Sequence, residues 1–500
     1  MRPLEILLLV ADLVAFLLLV VPLPGRARGL RRAAPIVLLA MGAQLLVEGP
    51  RWQLVPAYAL AGLFFLVWLL QTVKPAGRPT GRSRTRRLAA GLGVGLGVLG
   101  LAVAVALPIV LPVFGFPHPT GQYAIGTVTY HWVDAGRPEV FTADPHDRRE
   151  LMVQLWYPAK ADPSAPRAAY IQDADAVAPA LARAFHLPGF AFGHFKYITT
   201  NAIPSAPVAA DQASYPALIF LHGFSGLRQH NTFQVEELVS HGYIVAAIDQ
   251  PYAAALVVFP DGRQAVGLSR DQMKPLVRAS YTPVETAPTL NGQTFNDGIV
   301  PYLAQDARLT LDQLAALNQA DPNGILTGRL DLQRAGIFGI SLGGIVGAET
   351  CRLEPRLRAC LVLDAPMPTD VVQAGLQQPT MWITRDAETM RLEGWPKTEI
   401  DEHQTTMRAV FQSLPGDGYF VRVRGMFHLN LTDYPLVSPL MPLTGITGPI
   451  GAQRAHRIIS AYPLAFFDRH LKGRPATLLD GPAAQYPDVA LETRRPFSAH

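Results

Sequence analysis

Ala335-Gly336-Ile337-Phe338-Gly339-Ile340-Ser341-Leu342-Gly343 runs from an apolar, strand-like segment directly into the pattern G-x-S-x-G. At the end of a strand this pattern describes a turn from strand to helix so sharp that glycines are needed on both sides of the serine. The turn lifts the hydroxyl clear of the sheet, where a histidine can take its proton. Five residues alone are a weak signal. Their meaning depends on whether the rest of the chain supplies a base, an acid and amide donors in the right places.

Outward from this stretch, short apolar and β-branched runs alternate with helical patterns. Strands are expected near 124–132, 150–157, 216–221, 243–249, 335–340, 360–364, 379–384 and 418–424, and helices at 230–241, 303–321, 343–352, 403–413 and 451–472. The interior strands are nearly continuous apolar runs, as expected where helices cover both faces of a parallel sheet. The alternation predicts an α/β fold with a doubly wound, mostly parallel sheet. Pro463 is expected to kink the last helix.

His428 lies in Gly425-Met426-Phe427-His428, just past the last of these strands and after Ser341. The order Ser, acid, His is that of α/β-hydrolases, which makes His428 the candidate general base. His403 and His456 fall on helical stretches and are read as solvated. Asp364 and Asp386 compete as the acid, since both stand at carboxyl ends of parallel strands. Arg385 and Glu388 suggest a polar, solvated loop around Asp386, whereas Asp364 leaves an apolar strand and would need a buried partner such as an imidazole N–H. Amide donors for a developing oxyanion are expected at Leu342, which opens a helix, and at Phe224 in His222-Gly223-Phe224 after the strand at 216–221.

Of 500 residues, 49% are hydrophobic, and the excess lies at the N-terminus. Apolar stretches at 4–23, 34–47, 54–73 and 88–115 predict a four-helix transmembrane region over 1–115, ahead of a catalytic domain over 116–500. The second stretch is the shortest, and Glu5 and Asp12 in the first need partners in lipid. Twelve of the 43 Lys and Arg residues fall in residues 1–87, concentrated in loops 25–33 and 74–87. The positive-inside rule puts those loops in the cytoplasm and the catalytic domain outside. The basic pI therefore belongs to membrane-flanking loops, and no nucleic-acid partner is implied. Cys351 and Cys360 are read as buried free thiols. With no H-E-x-x-H, cysteine cluster or phosphate-binding glycine loop, no metal or organic cofactor is expected.

The region 120–475 resembles the plasma-type platelet-activating factor acetylhydrolase family. The resemblance is carried by PTGQYAIGT at 119–127, MVQLWYP at 152–158, LHGFSGLR at 221–228, LVSHGYIVAAID at 238–249, RLDLQRAGIFGISLGG at 329–344 and CLVLDAPM at 360–367. It implies Ser341 as nucleophile, His428 as base, Phe224 and Leu342 as oxyanion donors, and Asp364, in the segment after the elbow helix, as the acid. Ile340 and Leu342 flank the serine where better-known members have His and Phe, which bears on acyl and head-group preference. The expected function is a membrane-anchored serine esterase acting on lipid esters with short or oxidised sn-2 chains. Another ester class (dienelactone, polyester or xenobiotic) and a non-catalytic membrane scaffold are the rival readings. The aromatic segment 170–205 is a candidate lid.

Overall fold

Runs such as Tyr215–Leu221, in which every side chain is buried, can only sit inside a sheet covered on both faces. The computed structural model describes residues 1–22, 24, 30, 32–73 and 84–495. These divide into two units. One holds Met1–Phe114 with Gly193–Tyr197 and Val437–Leu440, the other Gly115–Phe192, Ile198–Leu436 and the residues from Met441 onward.

The second unit is built on a ten-stranded sheet. Its chain runs through β1 (Ala124–Pro138), β2 (Arg148–Ala159), β3 (Ile203–Pro204), β4 (Tyr215–Leu221) and β5 (Ile244–Asp249). Two small hairpins follow, β6 (Leu256–Val258) with β7 (Gln264–Val266) and β8 (Thr289–Leu290) with β9 (Gln293–Thr294). The sheet resumes with β10 (Leu330–Ile340), β11 (Leu357–Leu363), β12 (Thr380–Thr384), β13 (Gly418–Val423) and β14 (Val489–Arg494). The spatial order is β14-β13-β12-β11-β10-β4-β5-β2-β1-β3. The six strands from β13 to β5 are mutually parallel, and β2 and β14 join them antiparallel. The sequence reading did not anticipate β14 or the two-residue β3.

After β4 the chain adds β5 on one side of it, then returns to place β10 on the other. Such a reversal opens a crevice at the carboxyl ends of the two strands, where ligands bind on doubly wound sheets. The core on one face is apolar and contiguous, with Leu221, Ile337, Val362 and Trp382 fully buried, and Leu218, Phe220 and Phe338 are buried on the other. Each such side chain contributes about 1.5–3 kcal/mol through burial.

The first unit is helical: α1 (Pro3–Val20), α2 (Ile36–Val47), α3 (Val55–Val73) and α4 (Arg84–Val110). Three segments, Pro3–Val20, Trp52–Val73 and Leu88–Val110, are long and apolar enough to cross a membrane. The second expected span is a helix of only 12 residues. At 1.5 Å per residue it reaches about 18 Å, short of the roughly 30 Å hydrocarbon core. Helix α4 ends at Val110, before Pro112, so the last apolar residues up to 115 are not helical. Loop 25–33 and the linker 74–87, which carried the charge argument for orientation, lie largely outside the described residues.

One end of this unit gathers its polar groups. Arg51 pairs with Glu5 at 2.9 Å and donates to the Leu111 carbonyl, and Glu48 accepts from the Leu4 N–H at 2.8 Å. The start of α1, the α2–α3 connection and the residues after α4 therefore meet at the same end, as an up-and-down bundle requires. Tyr197 and His194 belong to this cluster through Pro50 and Gln53. Asp12 faces inward on α1, and among the described residues neither of its carboxyl oxygens has a hydrogen-bond partner. Large apolar side chains face outward instead, Leu46 being 88% and Leu39 72% exposed.

Candidate active site

Ser341 follows β10 with φ +55° and ψ −122°, a left-handed backbone that a serine adopts only where its surroundings impose it. Those surroundings are tight. A Cβ on Gly343 would lie 2.1 Å from the Leu221 carbonyl oxygen, and one on Gly339 would lie 2.2 Å from that of Gly343. No other residue fits either position. The helix Leu342–Leu353 begins at once, so the Leu342 N–H lies in its unpaired first turn.

The loop after β4 crosses beside the serine, and a Cβ on Gly223 would stand 3.3 Å from that of Ser341. The turn is closed by Gly226 N–H to the Gly223 carbonyl at 2.9 Å, and Ser225 donates to the Ala253 carbonyl at 2.8 Å. Neither the Phe224 nor the Leu342 N–H has a backbone acceptor among the described residues. His222 is wholly buried beneath this loop, accepting from the Gln250 N–H at 3.2 Å, and burial holds its pKa below the ordinary imidazole value. It braces the loop.

Asp364 ends β11, the strand beside β10, and Ser341 N–H donates to the Leu363 carbonyl at 2.9 Å. Serine and aspartate thus stand on neighbouring strand ends. Asp364 Oδ2 lies 2.6 Å from His428 Nδ1, and Oδ1 accepts from Thr384 Oγ1 at 2.8 Å. Arg385 lies 2.8 Å from Oδ2, and His403 Nε2 lies 3.6 Å from Oδ1. Although burial opposes ionisation, the Arg385 charge and the two imidazoles hold the Asp364 carboxyl well below the usual range. His428 occupies the short turn His428–Leu431 after β13 and keeps part of its ring exposed. The Ser341 hydroxyl makes no hydrogen bond among the described residues; serine–base contacts are commonly loose before substrate binds.

Asp386 is elsewhere engaged. It caps the helix Ala387–Leu392, accepting from the Thr389 N–H at 2.7 Å, while His428 is joined to Asp364. Two expectations about its surroundings fail. Arg385 is fully buried rather than solvated, because it leaves β12 directly toward Asp364. His403 and His456 are buried as well, and desolvation pushes the pKa of each down to about 4. His456 stacks on Phe233 and bonds the Thr432 carbonyl, and His403 faces Asp364.

The residues missed by sequence reasoning are Thr384, Arg385, Glu393, Trp395 and His403. The first two had a usable signal, since they close a parallel strand at the carboxyl edge of the sheet. The other three come from a helical connection whose inward face carried no motif. Both cysteines are buried free thiols. Of the candidate lid, Tyr170 and Phe192 are buried, and Phe190 is 59% exposed.

Residues 110–268 match the family model described as "Platelet-activating factor acetylhydrolase, isoform II". That match includes the loop bearing Phe224 and ends before Ser341. The platelet-activating factor acetylhydrolase of Cavia porcellus is 24% identical over 270 residues, covering 51% of this chain and 58% of that protein. The Bos taurus protein of the same name is 24% identical over 295 residues, covering 55% and 62%. The chain spans about three-fifths of the length of these curated relatives. A solved structure of a ferulic acid esterase from Streptomyces cinnamoneus superposes with a TM-score of 0.58 at 28% identity, over 76% of this chain and 99% of that one.

Proposed function

We propose that this chain, similar to the platelet-activating factor acetylhydrolases and to a solved esterase of α/β fold, is a serine ester hydrolase with Ser341, Asp364 and His428 as its triad. The observation that carries the reading is the 2.6 Å contact of His428 with Asp364, beside a serine held at positive φ on the next strand. His428 removes the Ser341 proton, and the hydroxyl oxygen attacks the ester carbonyl. The Phe224 and Leu342 amides receive the oxyanion. Asp364 holds the imidazole tautomer and favours the imidazolium as it forms. The alcohol leaves with a proton from His428, and water attacks the acyl-enzyme by the same route.

The substrate class that fits the relatives is a phospholipid with a short or oxidised sn-2 acyl chain. A catalytic unit held at the extracytoplasmic face of a bilayer by its apolar helices suits such a substrate, and the lid at 170–205 offers the exposed Leu187 and Phe190 to an acyl chain. An aromatic ester is the second reading, favoured by the broader coverage of the solved esterase. Turnover of short-chain phosphatidylcholines against aryl esters of matched acyl length separates the two. Replacement of Ser341 by Ala tests the chemistry: retained hydrolysis of p-nitrophenyl acetate and retained labelling by a fluorophosphonate would sink it.

A further inference from the structure

His428 sits on a turn of four residues, too short to hold an imidazole still by its own backbone. Two acids hold it. Asp364 takes the ring, and the Glu393 carboxylate faces the His428 main-chain N–H at 3.3 and 3.4 Å. Both acids share one cation. Arg385, wholly buried, lies 2.8 Å from Asp364 Oδ2, contacts Glu393, and stacks 4.6 Å from the centre of the Trp395 ring. Trp395 in turn lies 6.0 Å from the His428 ring. Among the described residues the guanidinium N–H groups meet no acceptor in good hydrogen-bond geometry, so its hold on both acids is one of charge.

We propose that Arg385 and Glu393 are positioning residues for His428, fixing both where the imidazole stands and the charge it faces when it takes the Ser341 proton. The inference rests on the serine-esterase reading above. Asp364, Glu393 and Arg385 together leave one net negative charge beside the imidazole. Without Arg385 the carboxylates would overstabilise the imidazolium and make it a poor proton donor to the leaving alcohol. Without Glu393, Arg385 would cancel Asp364, and the turn would lose its main-chain acceptor. A buried cation between two acids is costly to desolvate and adds little stability over apolar packing, so its presence at the base calls for a functional account.

The other ionisable groups around this turn leave that charge unaltered near neutral pH. His403 from the helix Lys397–Ser413 and His456 from the helix Ala452–Lys472 are neutral there, each pushed down to about 4 by burial. His222 and His230 on the loop after β4 are lowered by the same cause, His230 to about 3. Asp433, just beyond the turn, is pushed well above the carboxylate range by burial and bonds Tyr170 and the Thr232 and Phe233 amides.

The test uses the full chain in detergent, with p-nitrophenyl acetate turnover and fluorophosphonate labelling of Ser341 followed against pH. Glu393→Gln is expected to lower kcat at least about tenfold with KM within about twofold, since misplacing a catalytic group by an ångström costs up to 100-fold. Its acid limb moves to lower pH. Arg385→Gln moves the acid limb to higher pH, and Arg385→Lys restores the limb and part of kcat. Opposed shifts are the signature, because a cluster that only glued the loop together would give none. Should Arg385→Gln fail to fold, Glu393→Gln against Arg385→Lys decides. Folded variants with the rate and limb of the parent, and of the exposed-site control Glu388→Gln, overturn the proposal. A parent that neither turns over ester nor labels at Ser341 overturns the esterase reading instead.

Discussion

Both units of this molecule bury acid–arginine pairs, and one from each, Glu5–Arg51 and Asp364–Arg385, differ in what else they hold. In the helical unit, Glu5 and Arg51 are wholly buried where α1, the α2–α3 connection and the end of α4 meet, and Arg51 is completed by a backbone carbonyl. That pair ties helix ends together. In the sheet unit, Asp364 and Arg385 are equally buried, but the aspartate is shared with the imidazole of a half-open site. Burial of charge is therefore no guide to function until the partners are counted. Glu5 and Arg51 find their other partners in Arg2, Gln53 and the Leu111 carbonyl, as a joint requires, whereas Asp364 gives one oxygen to the partly exposed His428 ring, which suits the proposed catalytic role.

The contrast can be broken at either side. Ser341→Ala is expected to reduce ester turnover by about 10⁴- to 10⁶-fold with an unchanged melting temperature. Asp364→Asn should cost about 10⁴-fold in kcat, because the imidazole loses its tautomer. In the helical unit, Arg51→Met should lower stability by about 1–3 kcal/mol by leaving the buried Glu5 with Arg2 as its remaining cation, read as an earlier thermal transition in detergent. Hydrolysis of a soluble ester well below that transition should stay within about twofold; a drop like that of Asp364→Asn would erase the distinction between the two pairs.

Acid should weaken the sheet unit. Burial depresses His222, His230, His403, His456 and His470, the last to about 4. Between about pH 6.5 and 4 these imidazoles bind protons unfolded but not folded, so stability rises with pH there. Glu236, raised to about 7, and Asp433, raised well above the ordinary carboxylate range, act oppositely, and five imidazoles outweigh two carboxyls. A denaturation midpoint that falls as pH drops from 6.5 to 4 is expected; a flat profile would refute it. The smallest effect is Asp386→Ala, a lost helix cap worth about 1 kcal/mol with turnover retained. Abolished turnover there would return the acid's role to Asp386.

Much of the fold was legible locally. Apolar and β-branched runs marked eight of the ten sheet strands, most plainly the six parallel ones whose two faces want the same side chains, and the glycines of the elbow announced a turn that admits no Cβ. Strands β14 and β3 were illegible: one is an edge strand of mixed polarity, the other only two residues long. At the site, Ser341 and His428 carried their own signals. Arg385 had only its place at the carboxyl edge of the sheet and His403 had none, since a charged residue after a strand and a histidine on a helix read as solvated until something folds over them.

By itself, then, the sequence determined the α/β alternation, the elbow at Ser341, the apolar character of the N-terminal segments and the chain order of serine, acid and histidine, because these follow from local sterics and side-chain period. Tertiary structure alone decided which acid reaches His428, and that Arg385 and His403 converge on Asp364 with Glu393 joined through Arg385. Those outcomes depend on which strand ends become neighbours and on what is left out of water when they do.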